Sequence, residues 1–240
     1  MKTQSSCRSS RAADMQGVMK IFHITAFIWY AFIMQCLYIK EGESLPPGIF
    51  EYGGPWKYLT FLNLLVQVTF FGLAAVADLQ PSGKYLENSL RQSTDFLFSV
   101  FAFPMGMLVV LFFWSIFAYD RQLVYPEAMD TFFPPWMNHA MHTLVLPILL
   151  GEVLLQPHVY PKTRNGIALL GIAGMAYFTW VMWVYLNVGM WVYPLLGLFS
   201  NSGLIGFFLF TLFVSVLLFL LGKGLNLCIW GKTMLRAKST

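Results

Sequence analysis

Three observations predict an all-α membrane protein, a bundle of six transmembrane helices. Hydrophobic residues make up 58% of the chain and charged residues only 11%, against about 25% charged residues in soluble domains. Six apolar runs are each about as long as the roughly 20 residues that cross a bilayer. Lipid offers the backbone no hydrogen-bond partners, so runs of this length are expected to be helices. They cover roughly residues 21–39, 58–77, 96–118, 136–155, 166–186 and 203–222.

The chain is predicted to have three parts: a polar leader at residues 1–20, the membrane domain at 21–222 and a basic tail at 223–240. The first apolar run is too long for the core of a signal peptide, and no small-residue cleavage site follows it, so we expect it to be retained. Of the 15 Lys and Arg residues, 12 fall on the leader's side of the bilayer. The positive-inside rule therefore predicts that both termini are cytosolic. Cys7, in the leader, is a candidate for palmitoylation.

Composition and spacing argue against several classes of function. The net charge of +4 comes from basic residues scattered between apolar runs, so nucleic-acid binding is not predicted. His23 and His158 lie near the inner surface and His139 and His142 near the outer one, so no pair could hold a haem across the bundle. Paired-cysteine motifs are absent too, and the sequence predicts no metal and no cofactor. The final Ala-Lys-Ser-Thr is not a retrieval signal, which favours the plasma membrane over the endoplasmic reticulum.

Two apolar runs carry polar groups at membrane depth. In the fourth run these are Asn138, His139 and His142. In the second run three polar residues share one helical face by their spacing, namely Thr60, Asn63 and Gln67. Ionisable side chains inside a membrane are costly and usually face a bundle interior or a wet cavity. Structural hydrogen bonds between helices would also explain both groups, because such bonds stabilise bundles.

Topology places Thr60 and His142 at similar depth. Both helices run from the outer to the inner surface, with Thr60 roughly 5 Å and His142 roughly 9 Å from the start at 1.5 Å per residue. A neutral imidazole can take the proton of a hydroxyl and make it a nucleophile, so the pair could work as a hydrolase dyad. A third group usually orients the base. Asn138, one turn before His142, and Asp120, at the outer end of the third helix, are both candidates.

The predicted connections between helices also carry signals. The outer ones are dense in Pro, Gly and aromatic residues at 52–56, 132–136 and 189–194. Trp and Tyr favour the membrane interface, but this density favours loops that fold back over the mouth of the bundle. At the inner ends, we expect Asp78 to meet the lipid headgroups and Glu152 to pair with a polar group on a neighbouring helix.

A series of short motifs resembles one family of membrane proteins. The motifs are Trp56-Lys-Tyr-Leu-Thr60, Ala102-Phe-Pro104, Tyr119-Asp-Arg121, Tyr125-Pro126, Trp136-Met-Asn-His-Ala-Met-His142, Tyr160-Pro161 and Gly189-Met-Trp-Val-Tyr-Pro194. In this order, over most of the chain, they resemble the family of androgen-induced gene and androgen-dependent TFPI-regulating proteins. The histidine motif is closer to the TFPI-regulating branch.

This resemblance implies an activity and the residues that carry it. Proteins of that family are six-helix membrane hydrolases of fatty acid esters of hydroxy fatty acids (FAHFAs), with a threonine nucleophile and a histidine. The threonine of the Trp-Lys-x-x-Thr motif corresponds to Thr60, and the second histidine of the Asn-His-x-x-His motif corresponds to His142. The implied partner is therefore a lipid substrate in the membrane, cleaved through an acyl-enzyme without a cofactor.

Further roles have more than one candidate. The oxyanion could be held by Asn63, His139 or a backbone amide. The free carboxylate of the substrate could be held near the outer rim by Lys57 or Arg121. The alternative function is a non-enzymatic, lipid-binding membrane regulator that acts through its outer loops. Such a regulator would need a cavity but no dyad, and the sequence identifies no protein partner for it.

Overall fold

The computed structural model describes the backbone of residues 2–41, 52–81 and 85–238, and the side chains of residues 14–39, 52–81 and 85–232. The predicted palmitoylation site, Cys7, lies outside the described side chains. Six described segments are helical, long and apolar enough to span a membrane, which confirms the predicted fold class. These spans are Asp14–Ile39, Leu59–Leu79, Tyr85–Leu123, Pro135–Leu155, Thr163–Val188 and Asn201–Lys232. The cytosolic position of the termini stays a prediction.

The described residues form eight α-helices. They are α1 (Lys2–Glu41), α2 (Leu59–Leu79), α3 (Tyr85–Leu97), α4 (Phe103–Asp120), α5 (Pro135–His142), α6 (Val145–Leu155), α7 (Thr163–Val188) and α8 (Asn201–Lys238). A π-helical turn at Phe98–Ala102 joins α3 to α4 within the third span, and residues 143–144 join α5 to α6 within the fourth. The end of the bundle at which α2 and α5 begin is called the outer end below.

Both internal breaks lie beside a proline. Pro104 is the second residue of α4, which begins directly after the π-helical turn, and Pro147 is the third residue of α6. Proline has no N–H and its ring clashes with the carbonyl four residues earlier, so a regular helix cannot continue from Thr143 to Pro147. The break ends α5 at His142, whose carbonyl accepts a hydrogen bond from Trp114 Nε1 at 3.0 Å.

The helices pack with unequal tightness. The main apolar core joins α1, α2, α4, α5 and α6, and includes the fully buried rings of Tyr30, Phe70 and Phe71. A second cluster joins the outer halves of α7 and α8 to residues 191–199. Most of the side chains on α7 and α8 are at least partly exposed, since these helices pack against the core along one side only. This arrangement leaves a space between α4, α7 and α8.

A buried charged cluster ties the inner ends of the spans together. Glu152 accepts hydrogen bonds from His23 Nε2 at 2.8 Å and from His158 Nε2 at 2.9 Å, so it pairs with neighbouring elements as predicted. The other ring nitrogens meet Asp78, at 2.7 Å from His23, and Asp95, at 2.9 Å from His158. The expectation that Asp78 meets the headgroups is wrong, because its side chain is buried against His23. When all three carboxylates are ionised they can only accept, and both nitrogens of each ring then carry a proton.

Candidate active site

Thr60 and His142 meet near the outer end of the bundle. Thr60 is the second residue of α2 and His142 is the last residue of α5. The distance from Thr60 Oγ1 to His142 Nε2 is 3.1 Å, within hydrogen-bonding range. His142 is buried and Thr60 is half-buried. The two side chains that topology places at similar depth are therefore in direct contact.

The orientation of His142 is set by Asn138. His142 Nδ1 lies 2.7 Å from Asn138 Oδ1 and 3.0 Å from the Asn138 carbonyl oxygen. Both atoms are acceptors, so Nδ1 carries the proton, and the lone pair of Nε2 faces the Thr60 hydroxyl, which donates. Asp120 does not reach the pair, because its carboxylate accepts the Gln122 N–H at 2.9 Å and caps a short 3₁₀ turn. Of the two candidates for the third group, the structure brings Asn138 to the dyad.

Aromatic rings clamp the imidazole from one side. Phe113 stacks on His142 with ring centroids 3.6 Å apart and an interplanar angle of 7°. With the hydrogen bond from Trp114 to the His142 carbonyl, this stack restricts rotation of the imidazole. Sequence reasoning does not find Phe113, because it is one of 23 phenylalanines and no local pattern separates it from the others.

Two tyrosines hold the start of α2, where Thr60 lies. The Leu59 N–H donates to Tyr193 Oη at 2.9 Å, and Tyr177 Oη donates to the Lys57 carbonyl at 3.1 Å. Burial raises the pKa of Tyr193, so its hydroxyl keeps its proton at neutral pH. Tyr193 comes from the connection after α7, which folds back over the mouth as the sequence predicts. The N–H of Thr60 lies in the first turn, where a helix supplies no intrahelical acceptor.

The structure separates the two side-chain candidates for the oxyanion donor. Asn63 is fully buried, one helical turn from Thr60. Its Oδ1 accepts a hydrogen bond from Gln67 Nε2 at 3.0 Å, but its Nδ2 has no hydrogen-bond partner in the described part of the chain. His139 is exposed, and its Nδ1 lies 3.0 Å from Thr143 Oγ1 on the surface of the bundle. Asn63 therefore remains a candidate donor near Thr60, and His139 does not.

The two candidates for the carboxylate site differ in exposure. Lys57 is buried three residues before Thr60, with its Nζ 5.6 Å from the centroid of the Tyr58 ring. Arg121 is half-buried near the outer rim and forms an ion pair with Asp130 at 2.7 Å. Both cations are thus at the outer end, on the same side of the bundle as the dyad.

Thr60 opens onto an apolar cavity of about 540 Å³ between α2, α4, α7 and α8. Small-molecule sites usually enclose roughly 300–1,000 Å³, so this volume is sufficient for a ligand. Phe113 also lines the cavity, which connects its wall to the imidazole. The hydroxyls of Thr211 and Ser215 in the wall donate to carbonyls of their own helix at 2.9 Å, so they are not free for a ligand.

This geometry defines a class of protein: a polytopic membrane protein with a threonine–histidine–asparagine constellation beside an apolar cavity. The family model described as FAR-17a/AIG1-like protein matches residues 18–227, and the chain belongs to this family. Among the described residues, no group of three or more His, Cys, Asp or Glu side chains is arranged to hold a metal ion.

Several curated relatives support the same assignment. The androgen-dependent TFPI-regulating proteins of Homo sapiens and Rattus norvegicus are 39% and 41% identical over 214 and 220 residues. These matches cover 88% and 89% of this chain and 93% and 94% of the relatives. The androgen-induced gene 1 protein of Homo sapiens is 40% identical over 188 residues, 75% of this chain and 79% of that protein. No solved structure matches the chain.

Proposed function

We propose that this protein is an integral membrane hydrolase that cleaves FAHFAs, with Thr60 as nucleophile and His142 as base. The observation that carries the proposal is the 3.1 Å contact from Thr60 Oγ1 to His142 Nε2, with Nδ1 of the same ring bonded to Asn138. A hydroxyl, a neutral imidazole and an orienting acceptor in series are the parts of a nucleophilic dyad. Membership of the family, and the resemblance of the Thr60 and His142 motifs to it, supports the choice of substrate.

In the first half of the reaction, His142 Nε2 takes the proton of Thr60 Oγ1 as the oxygen attacks the ester carbonyl. The tetrahedral intermediate collapses when the bond from the carbonyl carbon to the alkoxy oxygen breaks. His142 returns its proton to that oxygen, and the hydroxy fatty acid leaves. The acyl group stays on Thr60 as an ester.

In the second half, water replaces the leaving group. His142 Nε2 takes a proton from water, and the resulting hydroxide attacks the acyl carbon. The bond to Thr60 Oγ1 breaks, Oγ1 regains the proton from His142, and a free fatty acid leaves. The Thr60 N–H in the first turn of α2 is the favoured oxyanion donor, because helix N-terminal amides and the dipole stabilise negative charge. Asn63 Nδ2, unpartnered within the described chain, is a second candidate.

The membrane supplies the substrate from the side. Three residues of α7 and α8 line the cavity and are also exposed on the bundle surface, namely Met175, Ile205 and Leu209. A lipid can therefore pass from the bilayer into the cavity without crossing the outer aqueous face. Lys57 and Arg121, both at the outer end, are the proposed partners of its free carboxylate.

Paired variants test the dyad against matched controls. The purified protein in detergent is given a FAHFA, with a triglyceride as a second lipid ester. Thr60→Ala and His142→Gln are expected to lose about 10³-fold or more in turnover, as dyad members do in other hydrolases. The controls are Thr69→Ala, on the exposed side of α2, and His139→Gln, exposed on α5, and both should keep wild-type turnover.

The result is interpretable only for folded protein, so each variant is also tested for wild-type yield and melting temperature. Wild-type turnover in both dyad variants would refute the hydrolase mechanism. If the wild type binds the FAHFA, with a rise in melting temperature but no product, the lipid-binding regulator becomes the better explanation.

A further inference from the structure

We propose that the inner part of the cavity holds the acyl chain that is transferred to Thr60, and that Gly174 limits the length of that chain. The inference rests on the proposed hydrolase function and adds to it the placement of the two arms of the substrate. It is carried by the depth of the cavity, the chemistry of its wall and a glycine in that wall.

The depth follows from the register of α2 and α4, which run in opposite directions. Gln67 Nε2 lies 2.9 Å from the Ala102 carbonyl oxygen, so these residues are level. Thr60 lies seven residues from Gln67 towards the outer end, and Val109 lies seven residues from Ala102 in the same direction. Thr60 and Val109 are therefore level. From Val109 the wall continues inward along α4 and into the π-helical turn as far as Phe101, about 12 Å at roughly 1.5 Å per residue. A bilayer core of about 30 Å holds two acyl chains end to end, so the inner part has room for most of one chain.

The wall of the inner part is suited to hydrocarbon and unsuited to charge. Its side chains include Met105, Leu170 and Leu212, and the hydroxyls of Thr211 and Ser215 are bonded to backbone carbonyls. A carboxylate placed there would lose its hydration without gaining a partner, which is strongly unfavourable. The acyl arm of a FAHFA therefore points inward, and the hydroxy fatty acid arm, which ends in the free carboxylate, points to the outer rim.

Gly174 lies in this wall, between Leu170 and Tyr177 on α7. A Cβ built at Gly174 would have one neighbour within 4 Å, Leu212 Cδ1 at 3.5 Å, which is an ordinary van der Waals distance. Because Gly174 lines the cavity, a larger side chain at this position is expected to take up cavity volume. Gly171, one turn away on the same helix, is not part of the wall, and a Cβ there meets nothing within 4 Å.

The test compares Gly174→Leu with Gly171→Leu, which makes the same change on the same helix outside the cavity. Each protein is given p-nitrophenyl palmitate and p-nitrophenyl butyrate, and the ratio of kcat/KM for the long ester to that for the short ester is measured. In Gly174→Leu the ratio should fall about tenfold or more, which corresponds to about 1.4 kcal/mol, and in Gly171→Leu it should equal the wild-type ratio. Gly174→Ala, expected to give a smaller fall, serves if the leucine variant does not fold.

A binding measurement separates this inference from the hydrolase proposal. In a Thr60→Ala background, free palmitate should raise the melting temperature, and adding Gly174→Leu, but not Gly171→Leu, should remove that rise. Equal ester ratios or equal thermal shifts in the two glycine variants would overturn the inference and leave the hydrolase proposal in place. If the wild type cleaves no ester, the hydrolase proposal fails, and the thermal shifts alone decide whether the inner cavity holds an acyl chain.

Discussion

Asn138→Ala tests how the base is oriented, and the structure sets the size of the effect. His142 Nδ1 has two acceptors, Asn138 Oδ1 at 2.7 Å and the Asn138 carbonyl at 3.0 Å. Alanine removes the first and keeps the second, so the proton stays on Nδ1 and Nε2 still faces Thr60. One hydrogen bond contributes about 0.5–1.5 kcal/mol net, which corresponds to a fall in kcat of roughly 2- to 13-fold. Loss of the tautomer, by contrast, costs about 10⁴-fold in serine-protease triads.

The assay is steady-state hydrolysis of a FAHFA, with kcat and KM measured separately. KM should stay near the wild-type value, because Asn138 lies behind the imidazole and away from the cavity. Asn138→Asp keeps an acceptor and should retain more activity than the alanine variant. The control is Asn187→Ala, whose exposed amide on α7 donates to the Trp183 carbonyl. Wild-type kcat in Asn138→Ala, or a fall of about 10³-fold or more in a folded protein, would refute this account of the base.

Two further predictions concern stability. Burial disfavours charged His158, but its hydrogen bonds to Asp95 and Glu152 outweigh that effect and raise its pKa above the usual value of about 6.5. The contribution of charged His158 to stability is therefore fully present below about pH 6.5 and is lost as the pH rises through the raised pKa. The melting temperature of the wild type should fall as the pH rises, and it should fall less steeply in His158→Gln. Parallel curves of melting temperature against pH would contradict this. In Gly106→Ala the added Cβ would lie 2.6 Å from Leu149 Cδ1 of α6. This overpacking should lower the free energy of unfolding by about 1–3 kcal/mol, which would be measured as a lower melting temperature. Because Gly171 has open space around it, Gly171→Ala should not lower the melting temperature, and equal losses in the two variants would contradict the packing argument.

The spans and the approximate place of the site could be predicted from the sequence because they depend on short-range properties. Helix length and hydropathy are properties of consecutive residues, and they identify all six spans. The direction of each helix follows from counting spans, which puts Thr60 and His142 at the same end. Asn138 is a candidate partner for His142 because residues four apart share a helical face.

The sequence could not predict contacts that depend on how the helices rotate and tilt against one another. By its position in the sequence, Asp120 is as near the outer end as Asn138. In the structure, however, the 3₁₀ turn after α4 directs the Asp120 carboxylate to the backbone N–H of Gln122. Asp78 joins His23 instead of the headgroups, since α1 and α2 pack together along their length.

The sequence by itself therefore determined a six-helix membrane protein with polar groups at one end of its second and fourth spans. Only the tertiary structure decided which ring nitrogen faces Thr60, that Phe113 stacks on His142 and that Tyr193 holds the start of α2. It also decided that a cavity opens beside Thr60. The physical reason is that helical periodicity defines the face of each helix, whereas the faces that meet are selected by the packing of all the helices at once and by the break before Pro147.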